Sequence, residues 1–156
     1  MNYFLDDLEK YLDMCFQNDV DITVSKKPNI YKGYQVQHEP SSKKPEIQIH
    51  RLNTNEQVNF TTFCKKNANT ISVQITAFSG QMKIRGVEYS AQDASGILGE
   101  KIEQYICDYI YSCNNQNIYD GKLITISPTL PMNEGGSIYM TAVRFNFVIA
   151  HPYVVG

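Results

Sequence analysis

Three histidines, four cysteines and one arginine inside an apolar run are the residues of this 156-residue chain whose types could do chemistry. His38, His50 and His151 stand far apart in unlike contexts. A metal needs convergent His, Cys or carboxylate donors, usually with one short-spaced pair, and the chain offers none. Cys15, Cys64, Cys107 and Cys113 include no CxxC pair, so they read as reduced thiols rather than a disulfide framework. Cys64 precedes Lys65 and Lys66, and neighbouring cations lower a thiol pKa; the plainer reading is a strand-end cysteine beside turn lysines. No serine lies in a GxSxG elbow, although a Ser-His-Asp or Cys-His set assembles only in space and stays open on sequence grounds. Gly96-x-x-Gly99 and Gly135-Gly136 lack the context that cradles phosphate. The expectation is a protein with no catalytic residue, no metal and no cofactor.

Charge offers more. Arg144 sits in the middle of SIYMTAVRFNFVIAHPY, and an arginine there is costly to bury unless paired. It reads either as an outward-facing strand residue or as one half of a salt bridge between subunits, with Asp120 or Glu134 as the carboxylate. Lys43-Lys44, Lys65-Lys66 and Lys83 with Arg85 fall in turns or connectors, where lysines are commonly solvated. Grouped by assembly, such loops would meet an acidic partner surface or passing DNA.

The elements that must position these residues begin with the stretch from Ser90 to Cys113. Ala94, Ile97, Leu98, Ile102, Tyr105, Ile106, Tyr109 and Ile110 repeat at the spacing of one helix face. Ser90 and Asp93 have the form of a capping box, and Asn114-Asn115 a stop. Gly96 and Gly99 each cost ~1 kcal/mol against Ala inside a helix, which implies close approach to a neighbour. A first helix is expected over 2–17, with Phe4, Leu5, Leu8, Tyr11, Leu12, Cys15 and Phe16 as its stripe. Strands are expected at 20–24, 46–52, 58–66, 70–78, 123–130 and 137–153, with short ones at 34–38 and 82–84. Turns are expected at 53–57 and 67–69, and Asn133 to Gly136 reads as a hairpin turn. EPSSKKP at 39–45 is expected to be a mobile loop.

The order is helix, strands, long helix, final hairpin. It predicts one α+β domain over 1–156: a mostly antiparallel sheet with both helices on one face. The other face, with Met140, Ala142, Arg144, Asn146 and Val148 in the last strand, is half polar, as suits water or a partner. Net charge −2 and a pI near 5.9 argue against a general nucleic-acid binder. No apolar run approaches the ~20 residues that span a bilayer. The acidic start has none of the basic character of an export signal.

The order and pattern of YFLDDLEKYLDMCF, PEIQIHRL, TISVQITAFSG, the helix at 90–113 and GGSIYMTAVRFNFVIAHP resemble the tail terminator family of tailed bacteriophages and phage-tail-like particles. The resemblance covers nearly the whole chain and rests on element order, without a diagnostic motif. It implies a homohexameric ring that caps the tail tube, ends its polymerisation and joins the tail to the head. The implied partners are the tube protein, the head–tail connector or other neck proteins and, where the tail is contractile, a sheath. DNA would pass only through the lumen, and no membrane is involved. The implied place is the neck end of the virion tail, assembled in host cytoplasm. Interface residues on this reading are Met140, Arg144, Asn146 and Val148 on the open face, with Lys43, Lys44, Lys65, Lys66 and Glu134 in loops that order on docking. A head-completion or head–tail joining adaptor is the neighbouring reading, and a small α+β enzyme the remote one.

Overall fold

The computed structural model describes residues 3–33, 39–60, 66–111 and 118–150; for 53–60 and 66–69 it describes the backbone alone. The fold is α+β, as expected. Helix α1 spans Phe4–Gln17 and α2 spans Ala91–Tyr111. The strands are β1 (Asn29–Lys32), β2 (Glu46–Phe60), β3 (Lys66–Ser79), β4 (Met82–Ile84), β5 (Val87–Tyr89), β6 (Ile118–Ile126), β7 (Leu130–Pro131) and β8 (Tyr139–Ala150). The main sheet runs β1-β2-β3-β8-β6, with β7 also paired to β8, and β4-β5 form a separate hairpin. Among the described residues only the β1–β2 pairing in this sheet is parallel.

Period-two alternation decides which face is sealed. Ile47 and Ile49, Ile71, Val73, Ile75 and Ala77, and Val143, Phe145, Phe147 and Ile149 are all fully buried. They meet Phe4, Leu5, Leu8, Leu12 and Phe16 of α1 and Ala94, Leu98, Ile102 and Ile106 of α2 in one cluster. Aromatic pairs join α1 to the sheet and to α2. Phe4 meets Phe147 edge-on (ring centroids 5.0 Å), Phe16 meets Tyr105 edge-on (5.1 Å), and Tyr11 stacks on Tyr109 (4.4 Å). The Asp93 amide donates to Ser90 Oγ (3.2 Å), the cap expected at the start of α2.

Several expected elements differ. The alternating stretch 20–24 is no strand: turns lead into a 3-10 segment at Val24–Lys26. Local polar bonds outcompete pairing there. The Asp21 amide donates to Asp19 Oδ1 (3.0 Å), and buried Lys27 donates to the carbonyls of Phe16 (3.0 Å) and Asp19 (2.8 Å), closing the end of α1. Val20 is left 96% exposed and Val24 83%, while Ile22 is buried. Residues 53–57 are not a turn either. β2 continues through them, and a register shift between Leu52 and Glu56 absorbs the irregular stretch. Residues 67–69 belong to β3, and β1 is an additional strand. β6 begins at Ile118 and ends at Ile126, earlier at both ends than expected.

The connector at 79–89 is the β4-β5 hairpin, turned by Arg85 (φ 54°) and Gly86 (φ 75°). Positive φ at both central residues is a type I′ geometry, in which a non-glycine first residue is strained. The expected edge strand at 34–38 lies outside the described residues. Residues 41–44 form a turn closed by a Ser41–Lys44 bridge, with Lys26 Nζ donating to the Lys43 carbonyl.

Gly99 sets how closely α2 lies on β8. A Cβ there would stand 2.7 Å from Thr141 Cγ2 and 3.3 Å from its Cβ. Thr141 is buried and β-branched, so it has little room to turn away. Gly99→Ala would gain ~1 kcal/mol of helix propensity against an overpacking cost of about 1–3 kcal/mol. We expect net destabilisation by about 1 kcal/mol in urea titrations. With Thr141→Ser in place, which removes the obstructing methyl, the same change should become neutral or stabilising.

Candidate functional site

The second face of the main sheet, opposite both helices, carries the polar side chains. The registers place His50, Gln74, Arg144 and Thr125 in one row across β2, β3, β8 and β6, and Leu52, Ser72, Asn146 and Lys122 in the next. On the other side of the His50 row, Gln48, Thr76 and Ala142 line up, followed by Glu46, Phe78 and Met140 with Leu130 of β7. Val148 lies beyond the Asn146 row, between Thr70 and Asp120.

These groups bond to one another. Arg144 donates to Gln74 Oε1 (3.1 Å), and Gln74 Nε2 to Thr76 Oγ1 (3.3 Å). Ser72 Oγ donates to Asn146 Oδ1 (2.5 Å). Along β2, Gln48 joins Glu46 Oε2 (2.6 Å) to the ring of His50 (3.1 Å). The His50 ring lies over Gly33, where a Cβ would stand 2.1 Å from its Nδ1. Burial depresses the His50 pKa below the usual imidazole range.

Of the expected interface residues, β8 brings Met140, Arg144, Asn146 and Val148 onto this one face, with Arg144 exposed and the other three half-buried. Lys43 and Lys44 lie in the 41–44 turn and Glu134 in the exposed turn before β8, on other parts of the molecule. Lys65 lies outside the described residues, and Lys66 opens β3 rather than a loop.

A second polar cluster, which sequence reasoning missed, holds the helix side together. Lys101 of α2 reaches Asp19 Oδ2 (2.9 Å) and Asp21 Oδ2 (3.0 Å). Tyr105 donates to Asp19 Oδ2. Arg85 Nε donates to Asp21 Oδ2 and its amide to the Asp21 carbonyl, both at 2.9 Å. Arg85, expected as a solvated connector charge, is thus pinned in its strained turn by Asp21. Nothing in the order of the sequence pairs positions 19 and 21 with 85, 101 and 105; only the fold does. Burial alone would raise the Asp19 pKa, but the Tyr105, Lys101 and Asp21 amide bonds outweigh it and leave it below the usual carboxylate value. Asp21 is also depressed, first by the Arg85 bond and then by Lys101. On the outer side of α1, Lys32 of β1 pairs with Asp6.

Cys15 and Cys107 are free thiols, half-buried on the helices, and burial is the main cause raising both above the ordinary thiol pKa. That is the direction of an inert thiol. Among the described residues no group of three or more His, Cys, Asp or Glu converges as metal ligands, and no helix is long and apolar enough to cross a membrane. Among the described residues, shallow grooves flank the fold. One, of about 290 Å³, runs between α1 and β1 beside Glu9, Asp13 and Tyr31; another, of about 340 Å³, lies between α2 and Thr129 beside Asp93, Gly96 and Glu100.

No protein-family model matches the chain, and no curated protein matches it detectably.

Two of the depressed groups, His50 and Asp19, give an acid response in two stages. Both pKa values are lower in the folded protein than in the unfolded chain, so each group contributes stability at neutral pH that is lost on acidification. The His50 share should fade as pH falls through about 6.5, and the Asp19 share only below about 4. In urea titrations from pH 8 to 3, His50→Gln should flatten the first stage alone. Asp19→Asn should cost about 1.5–3 kcal/mol at pH 7 and shrink the second, leaving the part that Asp21 contributes.

Proposed function

We propose that this chain is a structural assembly protein of the tail terminator kind, whose copies close a ring on the end of a tail tube and join it to the head. The reading rests on the resemblance in element order. The observation that carries it is the two-sided sheet: helices seal one face, and the other presents a ladder of polar side chains around Arg144 that neither helix covers. A ring subunit must offer two different surfaces to its neighbours, because a rotational contact is heterologous. A face whose polar groups already bond one another supports that use, since the bonds survive when a partner excludes water. On this reading Met140 and Val148 supply apolar contact, Arg144 and Asn146 fix orientation, and the 41–44 and 132–137 turns meet the tube or connector. The protein carries no catalytic role here, and its place is the neck of the tail.

The test is electron microscopy of purified tail tubes. With the chain present, tube ends should carry a ring and elongation should stop. Arg144 is exposed, so Arg144→Glu should shift stability by less than about 0.5 kcal/mol while reducing the capped fraction severalfold. Tubes that grow uncapped beside the folded parent protein would refute the reading. Binding to the head connector with no affinity for tube ends would favour the neck-adaptor role instead.

A further inference from the structure

The outer edge of β6 has the makings of an interface. β6 is the last strand of the main sheet, and among the described residues nothing pairs with its far side. The Ser127 amide donates to the Ala142 carbonyl (2.8 Å), while Thr125, Lys122 and Asp120 lie opposite Arg144, Asn146 and Val148. In an antiparallel ladder, residues alternate between bonding the partner strand and facing away. This phase turns the backbone of Asp120 and Lys122 toward β8 and that of Gly121 and Leu123 outward. The Gly121 amide agrees: its acceptor is the carboxylate of Asp120 (2.8 Å).

Exposed edges normally carry charge or proline, which discourages pairing. This one shows Tyr119 (39% exposed) and Ile124 (44% exposed), with Ile118 and Leu123 half-buried beside them. Its two charges are Asp120 and Lys122, two residues apart on the open face. Tyr111, 87% exposed, follows Ile110, whose side chain lies under Gly121 at the same margin.

We propose that this edge binds a second copy of the same chain, β6 against β6, antiparallel about a two-fold axis through Gly121. Gly121 then exchanges backbone bonds with Gly121 of the second copy. Asp120 stands opposite Lys122 of the second copy, and the reverse, in the close-spaced type of pair. Tyr119, Leu123 and Ile124 flank these pairs and supply apolar contact at either end of the ladder. The register is selected by charge. An axis through Asp120 sets Asp120 against itself, an axis through Lys122 sets Lys122 against itself, and an axis through Leu123 sets both charges against isoleucines. The carboxylate that now accepts the Gly121 amide moves to a lysine, and the amide gains a carbonyl.

Register shifts between Ile118 and Asp120 and between Leu123 and Thr125 bracket the paired stretch. They confine it to a short ladder, and a two-fold contact closes after two copies, so the edge does not template open-ended growth. The contact is isologous and lies at the sheet margin, apart from the face assigned to the tube, and it does not rest on the ring reading.

The experiment is sedimentation equilibrium of the full chain from about 1 to 100 μM in low salt, a range over which interactions of surface charges are least screened. A reversible dimerisation is expected. Lys122→Asp and Asp120→Lys each set like charges opposite one another at both symmetric positions, and each should weaken it by about tenfold or more. The exchanged variant carrying both changes should regain most of the loss. Circular dichroism checks that all four proteins are folded. A parent that stays at one subunit throughout overturns the proposal. So does self-association that ignores the single reversals, or a folded double variant that fails to recover.

Discussion

The fold depends on how closely α2 can lie on the sheet, and two glycines set that distance. Near its N-terminal half, α2 approaches β8 through its own Gly99, which leaves just room for the Thr141 methyl. Ser95 beside it is fully buried and accepts a hydrogen bond from Thr141 Oγ1 (3.4 Å). Near its C-terminal end the sheet makes the concession: Gly121 of β6 leaves the space that Ile110 fills, where a Cβ would stand 2.5 Å from Ile110 Cδ1. With the helix seated at both ends, Leu98, Ile102 and Ile106 bury completely against β3 and β8. α1 then packs beside it through the Tyr11–Tyr109 and Phe16–Tyr105 contacts. Bulkier residues at either glycine would lift the helix and open the layer that holds the core.

Much of this was legible because period carries it. The helices, the face of α2, and the alternation in 46–52, 70–78 and 139–149 follow from side-chain spacing, a property each segment has by itself. Gly99 could be read as a close approach because its helix cost demands a return. What was misread is where local and tertiary polar bonds override pattern. VDITV has the composition of a strand, yet Asp19 and Lys27 bend the chain into turns that close α1. The Asn-rich 53–57 stretch has the composition of a turn, yet ladder pairing on both sides carries it through with a register shift. β1 is a four-residue edge strand held in register by the parallel partner β2, and Ile30 and Lys32 alone give no periodic signal.

The candidate site was half legible for the same reason. Residues 140, 144, 146 and 148 share a face by alternation alone, so their grouping needed no structure. Their bonding partners Gln74 and Ser72 come from a strand some seventy residues earlier and are set by register. The Asp19–Asp21–Lys101–Tyr105–Arg85 cluster is wholly tertiary. Its members join the end of α1, the middle of α2 and the tip of the β4-β5 hairpin, three places that no spacing rule connects. Asp19 is a buried carboxylate completed by Lys101 and Tyr105, and removal of one of these partners strands the others.

The open face and the β6 edge differ in what they ask of their surroundings. On the face, Arg144, Gln74, Thr76, Ser72 and Asn146 have partners within the subunit, so water is tolerated and a partner that displaces it breaks few bonds. At the edge, the outward amide of Gly121 is answered by a neighbouring carboxylate, a local substitute for the strand that ladder geometry would place there. Apolar side chains flank it, and water gives them nothing in return. A sheet margin with outward backbone groups and exposed isoleucine is a standing invitation to pairing, and the charge order of Asp120 and Lys122 selects one register and a closed symmetry. The helix side is sealed, the face is self-satisfied, and the edge is left asking for a strand; that division follows from one alternating pattern laid on a sheet that stops at β6.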